Sequence, residues 1–332
     1  MEMVMKKDSL FRKITYLLSF VKGCHEGRYH FYQASQHNPF DDEVKNLSFH
    51  SYFHRLPALS AGLDDNSIKN VIRFLERPAL YADIDNNDNS LNIMPILAVP
   101  PKDIARFNSE KTLLSKRFGI PEEDLIFECF FNKLRIPDFP EAVKNYIKNK
   151  IFLDVGAYIG DSALVMLGFS PSKIYAFDAS PKNAERFKKV MEFNKIPESK
   201  VELILSGIGD HEYEISFNDN GELDADLNVA GNTKIHVDSL DHLCKNMGQI
   251  GFIKSDIEGF GLDMARGMTE ILKRDRPVLS LAIYHNPDEF FEIKPFLESL
   301  NLNYKFEISA HSYYFWGEIY LHAYPAELIK NC

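Results

Sequence analysis

The sequence predicts an α/β fold: a doubly wound parallel sheet that ends in an antiparallel hairpin, preceded by a helix-rich N-terminal extension. Three observations lead there. From Lys150 onward, short apolar runs alternate with helical patterns across short junctions, as in a parallel sheet covered on both faces. The last two strand-like runs are joined only by a loop, which makes them an antiparallel pair. Residues 1–150 instead mix helical patterns with Pro- and Asn-rich loops and offer few strands.

In chain order, Leu10, Phe11, Ile14, Leu17, Leu18 and Val21 recur at the spacing of an amphipathic helix, read as docked on the body. Lys6, Lys7, Arg12 and Lys13 before the run ITYLLSFV, and Cys24 after it, give a superficial likeness to a lipoprotein leader. The run is short and contains Thr15 and Ser19, and Lys22 stands where cleavage needs a small neutral residue. Ser67 to Glu76 is a second helical pattern. The run DIDNNDNS from Asp83 has carboxylates at alternate positions, but an EF-hand also needs Gly and Glu where this chain has Asp88 and Met94, so a solvated turn is expected. Then come the strand IFLDV (151–155), the helix Asp161–Leu167, the strand KIYAFD (173–178) and the helix Pro181–Phe193, with proline where the missing N–H is harmless. VELILS (201–206) is a third strand, followed by a hairpin-like insertion of YEISF and Asn218–Gly221. GFIKSDI (251–257) and PVLSLAIYH (277–285) flank a helix over Leu262–Arg274; the helix Pro287–Leu300 precedes the closing strands YKFEI (304–308) and EIYLHAY (318–324).

The 332 residues, 45% hydrophobic and 26% charged, suit a folded chain of two domains or of one domain with an extension. A balance of 38 basic against 48 acidic residues, net −10, disfavours nucleic acid as a partner, whose affinity comes mainly from Lys and Arg contacts to phosphate. No stretch approaches the length of apolar sequence that a transmembrane segment needs. Cys24, Cys129, Cys244 and Cys332 form no C-x-x-C pair, so reduced thiols and a cytoplasmic location are expected.

Ligands of open parallel sheets bind beyond the carboxyl ends of the strands, at the switch point. After the first strand stands DVGAYIGDS, with Gly156 and Gly160 in a G-x-x-x-G spacing behind Asp154, not the G-x-G-x-x-G of dinucleotide binding. A leading carboxylate repels phosphate and attracts an amine-bearing ligand. Asp178 ends the second strand, where a carboxylate can accept from both hydroxyls of a ribose. SGIGD (206–210) supplies small residues suited to a flat base, and SDIEG places Asp256 and Glu258 on one side of an extended segment.

In this order DVGAYIGDS, FDASP, LSGIGD, IKSDIEG and the closing HS…WGEIYLHAY resemble the FkbM-type S-adenosylmethionine-dependent methyltransferases, over roughly residues 125–325. The resemblance implies a seven-stranded, Rossmann-like class I methyltransferase sheet with its last strand antiparallel, in residues 126–332, behind an extension over 1–125. It departs at Asp178-Ala179, where the family commonly has Glu-Pro. It further implies that Asp154, Gly156, Ala157 and Gly160 hold the amino-acid part of the cofactor and that Asp178 and Ala179 hold its ribose. Ser206, Gly207 and Ile208 would flank the adenine, with Asp256 at the cofactor's reactive end. The expected reaction is O-methylation of a sugar or other polyhydroxylated metabolite, a glycan building block.

Removing a hydroxyl proton calls for a base or a metal. Asp256 and His285 are the catalytic candidates, and Asp256 with Glu258 could supply oxygens to Mg²⁺ but need further partners. Asp161 and Asp210 read more simply as helix or turn caps. Phe130, Phe131, Phe290, Phe291 and Tyr313–Trp316 could stack on sugars, but such clusters are more often core. Two alternatives stand beside this reading: a nicotinamide-dependent oxidoreductase, disfavoured by the missing fingerprint, and a non-catalytic S-adenosylmethionine-binding or interaction module. The extension is expected to cover the cleft or to mediate a homo-oligomer.

Overall fold

The structure is a computed structural model that describes residues 54–86, 99–217, 233–310 and 318–329. The expected helix at Leu10–Val21, the turn at Asn218–Gly221, and Tyr313–Trp316 lie outside these residues. Five helices come first: α1 (Leu56–Ser60), α2 (Asp65–Asn86), α3 (Pro101–Phe118), α4 (Phe127–Phe130) and α5 (Glu141–Ile147). Helix α2 runs on through Asp83 and Asp85, so the start of DIDNNDNS is helical rather than a turn. Extending a nucleated helix is easy even for Asp and Asn.

The sheet unit follows as β1 (Ile151–Val155), α6 (Asp161–Met166), β2 (Lys173–Asp178), α7 (Pro181–Phe193), β3 (Val201–Leu205), β4 (Gly207–Gly209), β5 (Tyr213–Phe217) and β6 (Thr233–Ser239). It continues with α8 (Leu240–Leu243), β7 (Ile250–Ser255), α9 (Gly261–Arg266), α10 (Thr269–Asp275), β8 (Val278–Ala282), α11 (Pro287–Ser299), β9 (Tyr304–Ala310) and β10 (Ile319–Pro325). The main sheet has seven strands in the order β3-β2-β1-β7-β8-β10-β9, with β10 antiparallel to both neighbours. The chain reverses its direction of winding between β1 and β7, and this is the switch point at which a ligand cleft opens.

Strands β1, β7, β8 and β10 are buried along their whole length, which is why they read as continuous apolar runs. Alternate residues feed opposite cores: Leu153, Ile253 and Leu279 one face, Phe152, Phe252 and Val278 the other. The described parts of the N-terminal region complete both cores, with Leu59, Val71 and Phe74 on the first face and Phe107, Ile120 and Leu125 on the second. Phe74 stacks on Phe290 at 5.0 Å and Phe290 meets Phe291 edge-on, so these rings are core. Phe130 and Phe131 likewise pack on Phe118 and Phe127.

Edge strand β9 is covered by α2. Ser67 Oγ accepts the Ile308 N–H at 2.8 Å and Asn70 Nδ2 donates to the Ile308 carbonyl at 2.7 Å, which satisfies backbone groups that would otherwise template pairing with another chain. Ser67→Ala leaves the buried Ile308 N–H without an acceptor and is expected to cost roughly 1–3 kcal/mol, read from urea unfolding.

Two elements differ from the sequence expectation. Within SGIGD, residues 207–209 form a strand the sequence did not suggest: β4 pairs with β6, and with β5 they form a separate three-stranded sheet. Strand β6 escapes notice because Lys234, His236 and Asp238 interrupt its apolar residues. The helix expected over Leu262–Arg274 is two helices, α9 and α10, with Gly267 between them. A Cβ at Gly267 would lie 2.2 Å from the Gly209 carbonyl oxygen, so only glycine lets β4 pass this closely.

Candidate active site

The loop after β1 crosses the loop after β7 at the switch point. Gly156 permits the crossing: its φ is +76°, and a Cβ there would sit 1.8 Å from the Asp256 carbonyl oxygen. Beneath it, Asp154 is fully buried, accepting from Ser162 Oγ at 2.6 Å with Lys254 Nζ 3.5 Å away. Lys254 Nζ donates to the Gly156 carbonyl at 2.8 Å. Asp154 therefore braces the strand ends from below and does not reach the cleft wall, contrary to the expectation of direct cofactor contact. Ala157 is also fully buried, its N–H donating to Phe177. Gly160 faces Phe187 and Met191 of α7, where a Cβ would collide, so its smallness serves helix packing.

The remaining expected cofactor residues converge. A cleft enclosing about 890 Å³ of open space has Gly156, Asp178, Ala179, Ser206, Gly207, Ile208, Asp256 and Glu258 on its wall. Asp178 Oδ2 accepts the Tyr158 N–H and Oδ1 the Ser180 N–H, each at 2.8 Å, so its carboxylate is fixed at the lip of β2. Burial pushes its pKa up to about 6, against the lowering effect of those hydrogen bonds. Asp161, expected to serve only as a cap, lines the cleft as well; burial raises it to about 6, and its Oδ2 has no hydrogen-bond partner among the described residues. Asp210 pairs with the exposed His211, as a surface turn residue.

At the other end, Asp256 is caged. Tyr320 Oη donates to it at 2.5 Å, Tyr284 Oη at 3.1 and 3.2 Å, and His285 Nε2 lies 3.1 Å away. Burial alone would raise its pKa, but His285, Lys254 and Tyr320 hold it ionised, down to about 2. Glu128 shares the cleft and is held well above the usual carboxylate range by burial and by the charges of Glu318 and Asp256.

His285 adjoins Asp256 as expected and is 8% exposed, with Nδ1 2.8 Å from Glu289 Oε2 and Nε2 3.4 Å from Glu258 Oε2. Burial favours the neutral ring, yet Glu289, Glu258 and Asp256 together raise its pKa well above 6.5. Glu289 is fixed in turn: Oε1 accepts the Gly261 N–H at 2.7 Å, and its own N–H donates to the helix-capping Asn286.

The sequence carries a sign of Glu289, the Asn-Pro-Asp-Glu pattern of a capped helix start. Lys254, a lone charge inside an apolar strand, is a second. Tyr284, Tyr320 and Glu128 sit in runs that look like ordinary core.

Residues 154–306 match the family model described as the methyltransferase FkbM domain. That stretch, somewhat under half of the chain, is similar to the FkbM-type methyltransferase domain. The match is to a methyltransferase family and not to a nicotinamide-dependent one. Among solved structures, methyltransferase FkbM from Methylobacillus flagellatus KT is similar in fold, with a TM-score of 0.54 and 16% identity. That likeness covers 82% of this chain and 60% of the other, so this chain spans less than two thirds of its neighbour's length. An rRNA methylase from Streptococcus thermophilus matches at a TM-score of 0.36 and 15% identity, over 56% of this chain and 92% of that one. No curated protein sequence matches the chain. The FkbM match begins at Asp154 and takes in Asp178, Asp256 and His285, the residues that the fold gathers at and below the cleft.

Proposed function

We propose that the FkbM domain transfers a methyl group from S-adenosylmethionine to a hydroxyl of a sugar or other polyhydroxylated metabolite. The observation that carries this reading is the pairing, within one cleft, of a carboxylate placed to accept from a ribose diol with a carboxylate–phenol cluster at the ends of β7, β8 and β10. Asp178 accepts the ribose hydroxyls, Ser206–Ile208 flank the adenine, and Gly156 and Asp161 face the amino-acid end, where the unpartnered Asp161 oxygen suits an ammonium. When bound, the cofactor supplies an electrophilic methyl group. The protein's part is mainly alignment of the acceptor oxygen in line with that group. Asp256, held by two phenols, orients the acceptor hydroxyl and favours loss of its proton.

Residues 126–332 are the catalytic unit in this reading, and 1–125 an extension that covers the cleft or joins two copies. Tyr158 of the cleft already bonds Asp124, which also pairs with Arg186. Cys129 and Cys244 are buried free thiols, which fits a cytoplasmic location. Among the described residues no helix is long and apolar enough to cross a membrane. The deciding experiment uses methyl-labelled cofactor with an extract of glycan precursors, followed by mass spectrometry. Label on a small hydroxylated molecule supports the reading; label only on protein or RNA overturns the acceptor class.

Cofactor affinity should also depend on pH. Hydroxyl donors favour the ionised Asp178, so affinity is expected to fall as pH drops through about 6. Calorimetry at a series of pH values checks this, and Asp178→Asn should flatten the profile while weakening binding by roughly 1.5–3 kcal/mol.

A further inference from the structure

We propose that Asp256, Glu258 and His285 bind one divalent first-row metal cation, with Glu289 as the outer carboxylate that orients the imidazole. One ligand atom from each of the first three lies within 4.8 Å of the others, the compactness a single ion requires. The decisive atom is His285 Nε2. It is buried, and it makes no hydrogen bond among the described residues. Asp256 Oδ1 and Glu258 Oε2 lie 3.1 and 3.4 Å from it, but off the direction in which an N–H there would donate. A buried ring nitrogen left unpaired beside two carboxylate oxygens is a costly arrangement, and a cation shared by all three relieves it.

The surroundings match what metal sites use. Nδ1 lies 2.8 Å from Glu289 Oε2, the carboxylate–histidine arrangement that fixes which nitrogen faces the metal. Glu289 is 1% exposed and held by the Gly261 N–H, so the ring cannot swing away. Tyr284 and Tyr320 donate to Asp256 and orient its carboxylate. Glu258 has φ +48°, followed by Gly259 at +100°, and Asn286 Nδ2 pins the Gly259 carbonyl, so the backbone is bent to bring this side chain back toward His285.

The charged groups facing the cluster are Glu128, Glu289 and Lys254, which leaves an excess of negative charge for a dication to neutralise. Two oxygens and one imidazole nitrogen form a set of intermediate softness, suited to Mn²⁺ and neighbouring ions more than to an all-oxygen ion such as Ca²⁺. Three protein ligands leave coordination positions open, and Asp256 and Glu258 line the cleft. A bound cation there would polarise an acceptor hydroxyl and release its proton to solvent or a nearby carboxylate. That role rests on the methyl-transfer reading above; the binding itself does not.

The test is Mn²⁺ binding to the chelator-treated full chain, followed by the electron paramagnetic resonance of free Mn²⁺, without cofactor. One equivalent is expected to bind. Glu258→Gln, at a half-exposed side chain, and His285→Gln should each weaken binding at least tenfold, and Glu289→Gln by roughly 10–100-fold. Glu270→Gln, on the exposed face of α10, should change nothing. No saturable binding up to about 1 mM Mn²⁺, or binding indifferent to Glu258→Gln and His285→Gln, overturns the site. Calorimetry with S-adenosylmethionine on the same preparations separates the two readings. Cofactor binding without Mn²⁺ binding removes the metal site alone, and Mn²⁺ binding without cofactor binding supports the site while removing the cofactor assignment.

Discussion

Asp256→Asn is expected to lower kcat by roughly 10²–10⁴-fold, or about 3–5 kcal/mol of barrier, while S-adenosylmethionine affinity changes by less than about tenfold. The effect is large because Asp256 is where the cleft meets the cluster beyond β7, β8 and β10. Its carboxylate is held ionised against burial, and two phenols fix its orientation. The amide keeps the shape and one accepting oxygen, so Tyr284 or Tyr320 retains a partner and folding should change little. What it loses is the charge that favours deprotonation of an acceptor hydroxyl, whether that charge acts directly or by holding a cation. The residues proposed to hold adenine and ribose line the cleft at the ends of β2 and β3. Measuring kcat and cofactor affinity in parallel separates these. Near-wild-type turnover would move the chemistry to Glu128, which lines the cleft and is hydrogen-bonded to Glu318. A cofactor affinity that collapses with kcat would make Asp256 chiefly a binding residue.

The sheet was legible because its central strands are buried on both faces. IFLDV, GFIKS and VLSLA then have to be apolar throughout, and the turns between them have to carry the small and acidic residues. The second sheet was legible only at YEISF: Lys234, His236 and the buried Asp238 interrupt the apolar residues of β6, and β4 is only GIG. Asp154 and Asp161 show the same limit at the site. Asp154 is the penultimate residue of β1 and Asp161 opens α6, and both are acidic. Which carboxylate faces the cleft depends on where Lys254 lands, and Lys254 comes from a strand far away in sequence. Local pattern locates the loop; long-range pairing decides which of its side chains is available. His285 repeats the lesson. Its place beside Asp256 follows from strand order, but its charged surroundings come from Glu289, one helical turn on, and from Glu258, brought near by a left-handed turn.

Lys254→Met is expected to remove about 3–5 kcal/mol of stability at neutral pH, the largest loss anticipated for any single change here. Lys254 is 5% exposed and lies among Asp154, Asp161 and Asp256, whose charges raise its pKa despite burial. Methionine fills much of the same volume, so the loss comes from charge rather than from a cavity. Asp154 is the residue most exposed to it: fully buried, with Oδ1 having no hydrogen-bond partner among the described residues and only Lys254 nearby to balance its charge. Burial already raises the Asp154 pKa, and losing the cation raises it further. A carboxyl whose folded pKa lies above its unfolded value favours the folded state when protonated, and that contribution is lost as pH rises through the folded pKa. The deficit of Lys254→Met should therefore be greatest at pH 7 and shrink toward pH 5. Adding Asp154→Asn should restore part of the stability at pH 7, since the amide needs no counter-ion and still accepts from Ser162. Urea unfolding of the wild type, the single variant and the double variant at both pH values gives the comparison. A single variant that loses under about 1 kcal/mol, or a deficit that grows on acidification, would show that packing, not the Lys254–Asp154 pair, holds the two crossing loops together.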